Sequence, residues 1–172
     1  METATKTKIN ESISEVFFSE KCVSQMEKHV SESLENERCG FLIGKVYLIN
    51  DKLCTYAAEA VPVKEKSSSP VGVVIDGEAQ VDLLFALEEY RKLQSSNYVL
   101  VGWYHSHPFG GFCDGIFLSG RDKSIIECQM SRPYQVAVVL NPNGGSRGVF
   151  GWIDGEIKKI EKSYVLSEEF FK

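Results

Sequence analysis

Residues 98–105, YVLVGWYH, constrain the fold more than any other stretch of this chain. The run carries no acidic or basic side chain apart from its terminal histidine and follows no helical period. A short, continuous apolar segment of this kind is expected of a strand buried on both faces. Other elements must therefore form a layer above it and a layer below it, the arrangement in which helices cover a sheet. A chain of 172 residues is long enough to do this as one domain with a substantial core.

The flanking sequence supplies suitable elements. Ser19 is a helix N-cap, and Val23, Met26, Val30 and Leu34 recur at helical spacing, predicting a helix from Ser19 to about residue 36 with one buried stripe. CGFLIGKVYLI and KLCTYAAEAVPV read as two strands joined at Asn50 and Asp51. A second helix is predicted over 78–94, with Val81, Leu84, Leu87 and Tyr90 turned inward. A helix over 120–130, a strand in YQVAVVL and a hairpin around NPNGGSRG complete the order α-β-β-α-β-α-β-β. The expected class is α/β, an α+β sandwich of helices on a mixed sheet. Residues 1–14 read as a flexible N-terminal tail, 15–172 as a single domain, and KEKSSSPVG at 64–72 as a surface loop.

Composition narrows the function classes. A net charge of −5 without a Lys/Arg cluster argues against a nucleic-acid partner. No apolar run approaches the ~20 residues of a membrane helix, and METATKTKINES lacks the apolar centre of a secretory signal, so the expected compartment is the cytoplasm. Cys22, Cys39, Cys54, Cys113 and Cys128 are odd in number and form no C-x-x-C pair. That pattern fits reduced thiols rather than a disulfide framework or an all-cysteine zinc site.

Two of the three histidines, His105 and His107, end the apolar run. Side chains at i and i+2 of a strand share a face, so both imidazoles can reach one ion. Pro108 stops the ladder and leaves the pair at a strand terminus. A catalytic zinc ordinarily takes three protein ligands and leaves a position open. Asp114, Asp122 and Cys113 are candidates for the third. Asp114 precedes Gly115 as a turn residue would, and Asp122 lies in Ser-Gly-Arg-Asp, which also fits a helix capping box. Capping and ligation are compatible, because a carboxylate has two oxygens. Glu37, where the first helix gives way to a buried strand, is a candidate base. His29 is expected at the surface or boundary of the first helix, Trp103 and Tyr104 in the core, and Trp152 beneath the sheet.

Together, Glu37 ahead of RCGFLIG, His105-Ser106-His107-Pro108 and Ser119-Gly120-Arg121-Asp122 resemble the signature of the JAMM family, the metalloprotease branch of MPN domains. The likeness runs over roughly residues 15–155. It implies an MPN sandwich, a curved mixed sheet flanked by helices and similar to cytidine deaminases. The deaminase P-C-x-x-C motif itself is missing. It further implies one Zn²⁺ per chain held by His105, His107 and Asp122, with Glu37 as proton acceptor and Ser119 as oxyanion donor. The implied reaction is metal-assisted cleavage after the C-terminal glycine of a ubiquitin-like protein or its conjugate. Release of an amino acid from a sulfur-carrier protein would use the same chemistry, and a non-catalytic MPN scaffold would use none of it. Ten residues, FGGFCDGIFL, separate Pro108 from Ser119, more than is usual in the family. Phe109 and Phe112 in that loop are candidate substrate contacts.

Overall fold

The structure, a computed structural model, describes residues 12–64, 68–69, 72–73, 75–94, 97–109 and 114–167. In chain order the elements are β1 (Ile13–Ser19), α1 (Glu20–Ser31), β2 (Cys39–Ile49), β3 (Lys52–Pro62), β4 (Ser68–Ser69) and β5 (Gly72–Val73). They continue with α2 (Gly77–Leu93), β6 (Val99–Ser106), α3 (Gly120–Gln129), β7 (Val136–Asn141), β8 (Ser146–Ile153), β9 (Glu156–Lys159) and β10 (Ser163–Leu166). Eight strands form one mixed sheet in the order β10-β1-β3-β2-β6-β7-β8-β9, and β4 and β5 pair separately. With its three helices this is an α+β fold.

The apolar run becomes β6, central in the sheet. It pairs antiparallel with β2 and parallel with β7. Its side chains serve two cores, and a register shift against β2 at Gly102 puts Val101 and Trp103 in different ones. Val101 and Tyr104 join α1, β1 and β7 residues such as Met26, Val16 and Val138 on one face. Trp103 joins Leu83 and Leu87 of α2 and Ile126 of α3 on the other. Gly102 lets β7 approach, because a side chain there would collide with the Val136 carbonyl.

Local chemistry explains most boundaries. The Ser19 hydroxyl accepts the Cys22 N–H and starts α1, and Asp76 accepts the Ala79 N–H and starts α2. Asn50 and Asp51 both hold positive φ, 50° and 60°, as a two-residue hairpin turn requires.

Several expectations need correction. β1 begins at Ile13, inside the stretch read as tail, and β9 and β10 add strands at both sheet edges. α1 ends at Ser31 rather than near 36, and the Ser33 hydroxyl takes the Asn36 N–H in a local turn that competes with the helix. Leu34 is consequently exposed. α2 is rotated relative to its predicted face: Ala79, Leu83 and Leu87 are buried, while Val81 and Leu84 are 48% and 64% exposed. The helix is apolar on several sides, so periodicity alone could not set its phase.

Candidate metal centre

The end of β6 brings together the residues singled out above. His105 pairs with Cys39 of β2 and Val139 of β7, and is fully enclosed. His107 follows the strand, its N–H donating to the Leu140 carbonyl at 2.8 Å. Asp122 arrives from the first turn of α3. The three offer ligand atoms that all lie within 4.8 Å of one another, and all three are buried.

The distances suit a small ion. His105 Nε2 is 3.0 Å from His107 Nε2 and 3.3 Å from Asp122 Oδ1, and His107 Nε2 is 3.6 Å from Asp122 Oδ2. A tetrahedral ion with bonds of about 2.0–2.1 Å to nitrogen and oxygen has edges of roughly 3.3–3.4 Å, close to the separation of His105 Nε2 from Asp122 Oδ1, whereas the 3.6 Å distance from His107 is to the other carboxylate oxygen. The tautomer of His107 fits as well. Its Nδ1 faces the Gly115 carbonyl at 2.7 Å. A carbonyl only accepts, so Nδ1 carries a proton, and in the neutral ring Nε2 is then the atom with a lone pair to offer a metal. The His105 ring is set differently, stacked on Trp103 at 4.4 Å between centroids, and its Nδ1 has no hydrogen-bond partner among the described residues. Buried electron pairs from two imidazoles and a carboxylate thus converge where only a proton or a cation balances them.

The capping box is present too. Ser119 Oγ accepts the Asp122 N–H at 3.2 Å, and Asp122 Oδ2 accepts the Ser119 N–H at 2.7 Å. Asp122 therefore starts a helix with one oxygen and faces His105 with the other. Burial alone would raise its pKa, but hydrogen bonds from both histidines hold it well below the usual carboxylate range. His105 is pushed down, chiefly by its burial. For His107 burial acts downward, and the bonds to Asp122 and Gly115 outweigh it, so the net direction is up. Ser119 spends an oxygen lone pair on the cap and keeps its hydroxyl proton to donate.

Glu37 is the fourth convergent group. Its Oε1 lies 4.0 Å from His107 Nε2 and the residue is only 4% exposed. Burial raises its pKa from 4.5 to about 7, with His107 opposing and Asp122 reinforcing the shift. Ser106, between the histidines, holds it there. The Ser106 N–H donates to the Arg38 carbonyl and Ser106 Oγ accepts the Arg38 N–H, both at 2.9 Å. Cys39 is close in sequence, but burial first and Glu37 second push its thiol up to about 12, so it stays neutral.

The family model of the JAB1/Mov34/MPN/PAD-1 ubiquitin protease matches residues 11–125, which include all four of these groups. The chain belongs to this family. Among solved structures it is similar to the solution structure of protein DSY2949 from Desulfitobacterium hafniense. The TM-score is 0.63 at 22% identity, over 89% of this chain and 94% of that one. At that identity the likeness concerns the fold alone. No curated protein matches the chain.

Other candidates of this JAB/MPN domain fall into place around the centre. Asp114 is exposed and accepts the Ile116 N–H, the work of a turn residue. Phe112 and Cys113 lie outside the described residues. Phe109 stands 4.9 Å from His107, ring to ring. Phe117, which the sequence did not single out, stands 4.8 Å from the same imidazole. Only its place in an aromatic loop near the histidines could have flagged it. His29 corrects an expectation. It is buried, with Nδ1 at 2.8 Å from the Tyr104 hydroxyl. Tyr104 itself lies over Gly40, where any side chain would strike its ring. The metal-facing strand ends are interior to the sheet, whose edges are β9 and β10. Among the described residues no helix is long and apolar enough to cross a membrane.

Proposed function

We propose that the chain is a zinc-dependent peptidase or isopeptidase that cleaves after the C-terminal glycine of a ubiquitin-like protein, freeing it from a conjugate or precursor. The observation that carries this reading is the convergence of His105, His107 and Asp122 with a buried carboxylate, Glu37, beside them. Zinc at such a site supplies Lewis acidity, bringing the pKa of a coordinated water to roughly 7 and polarising the scissile carbonyl.

The chain's own residues do the rest. Glu37, the buried carboxylate beside the ligand set, accepts the proton of the attacking water and delivers it to the departing amine. Ser119 donates its hydroxyl proton to the developing oxyanion, a contribution of about 3–4 kcal/mol for a well-aimed donor. Phe109 and Phe117, both against His107, narrow the approach to the centre. Narrowness favours glycine, which has no side chain to collide with them. A scaffold without catalysis would not need a complete ligand set or a buried base. Amino-acid release from a sulfur-carrier protein shares the reaction and differs in the tail presented.

The test is a panel of ubiquitin-like proteins fused at their C-terminal glycine to a reporter, incubated with the metal-loaded protein. Cleavage after glycine that stops on chelation and in Glu37→Gln, with zinc still bound by the variant, supports the proposal. Equal cleavage by Glu37→Gln removes that residue from the mechanism. Retained cleavage in the chelated protein removes the metal.

A further inference from the structure

The turn between β7 and β8 grips the segment that follows the two histidines. Asn141, the last residue of β7, is buried. Its Nδ2 donates to the Asp114 carbonyl at 2.7 Å. Its Oδ1 accepts the N–H groups of Asn143 at 2.9 Å and Gly144 at 3.0 Å, which settles which way the amide faces. Asn143 in turn donates through Nδ2 to the Pro108 carbonyl at 2.6 Å. One short turn therefore holds the backbone on both sides of the 109–113 segment.

The held peptide matters because of its neighbour. Gly115, next to Asp114, offers the carbonyl that receives the His107 Nδ1 proton. Gly115 has a φ of 70°, a conformation other residues rarely adopt, so the carbonyl's direction depends on what anchors this turn. Asp114 is itself exposed, and its side chain accepts the Ile116 N–H. Asn141 is the buried group that fixes the turn to the sheet, and the half-buried Ser146 hydroxyl of β8 donates to the same Asp114 carbonyl at a longer 3.4 Å. The preceding residue, Leu140, already holds the His107 backbone. The end of β7 thus governs His107 twice, through the main chain directly and through the ring by way of Gly115.

We propose that Asn141 is a positioning residue of the metal centre: by clamping the Asp114–Gly115 backbone it sets the ring orientation and tautomer of His107. This rests on reading His107 as a metal ligand. Groups that orient a ligating histidine from behind typically change metal affinity 10–100-fold when removed.

Asn141→Asp separates this role from the turn's own stability. It keeps the oxygen that Asn143 and Gly144 need, and it replaces the donor to Asp114 with an acceptor. Asn141→Ala removes both. Asn141→Ser, too short to reach Asp114, takes the place of the Asp variant if a buried carboxylate unfolds the protein. The full chain, ¹⁵N-labelled at histidine and freed of metal, is observed by NMR, and zinc affinity is measured by competition with a chromophoric chelator. The wild type is expected to show a slowly exchanging His107 Nδ1 proton. The Asp and Ala variants are expected to lose it and to bind zinc at least about tenfold more weakly. An Asp variant with an intact Nδ1 proton and unchanged zinc affinity overturns the proposal. So does an affinity loss confined to Asn141→Ala. If the wild type binds no zinc, the reading of the site fails, while the Nδ1 proton still reports whether Asn141 holds the ring.

Discussion

Glu37 shows at the scale of one side chain how a site can be bought at the expense of the fold. In the unfolded chain its carboxyl titrates near 4.5, whereas burial in the folded metal-free protein raises it to about 7. Between those values the folded state retains a proton that the unfolded state has released. Stability from this group is therefore present at and below the unfolded pKa and is lost as pH rises through about 7. At about 1.4 kcal/mol per pKa unit, the loss reaches up to about 3 kcal/mol above neutrality. Glu37→Gln keeps the shape and removes the charge. In chelator, the variant is expected to match the wild type near the unfolded pKa and to exceed it by up to about 3 kcal/mol at alkaline pH. Urea unfolding at the two pH values measures this. A difference that does not change with pH would show that Glu37 is not stored in a disfavoured charge state.

α3 presents the same tension at the scale of an element. Of its ten residues only Asp122 and Ile126 are buried, so the helix is held to the body by few side chains and begins at the metal centre. Ser119 contributes to both its start and the proposed chemistry, and two substitutions separate the contributions. Ser119→Ala loses the cap, at a cost of about 1 kcal/mol, and also the oxyanion donor. Ser119→Asp keeps a capping oxygen but has no proton to donate at neutral pH. Both are expected to lower cleavage by ~10²–10³, and only the first to lower the melting temperature. Undiminished turnover in both would leave Ser119 a capping residue and nothing more. The S-x-x-D spacing made the box legible in advance. That Asp122, rather than Asp114 or Cys113, turns an oxygen to the histidines was legible only through the resemblance to the JAMM signature, because on the residues alone it depends on how α3 docks against β6. Ends marked by capping chemistry, at Ser19 and Ser119, were readable for a similar reason: the partner is three residues away. The phase of α2 was not, since Leu83 and Leu84 are equally apolar and only the sheet beneath decides between them.

Across the whole molecule, legibility follows sequence distance. β6 and β7 announce themselves by apolar runs, and the histidine pair by its position at the end of one. β1 and β10 do not, because β10 is a strand only by pairing with β1, and β1 only by lying between β10 and the distant β3. Val16 pairs with Ser163 in a parallel register across most of the chain, and β10 is largely exposed, without alternation to betray it. This edge nonetheless closes the sheet. The Val16 N–H donates to Lys162, Phe17 stacks on Tyr164 at 5.6 Å, and Ile160 is buried in the core with its N–H on Val149. The metal centre sits on β6, with β2, β3 and β1 between it and β10. Sites that far apart and sharing no partner are expected to act additively. A chain ending at Lys162 should therefore lose modest stability and gain a tendency to associate through the bared β1 edge. Ile160→Ala should cost more, about 2–5 kcal/mol, for the cavity it leaves. Both should bind zinc as the intact chain does. Thermal melts, sedimentation and chelator competition test the three parts. A truncated chain that keeps its fold but binds zinc tenfold more weakly would mean that the sheet transmits strain from its edge to His105, and that the centre depends on the closure of the whole sheet.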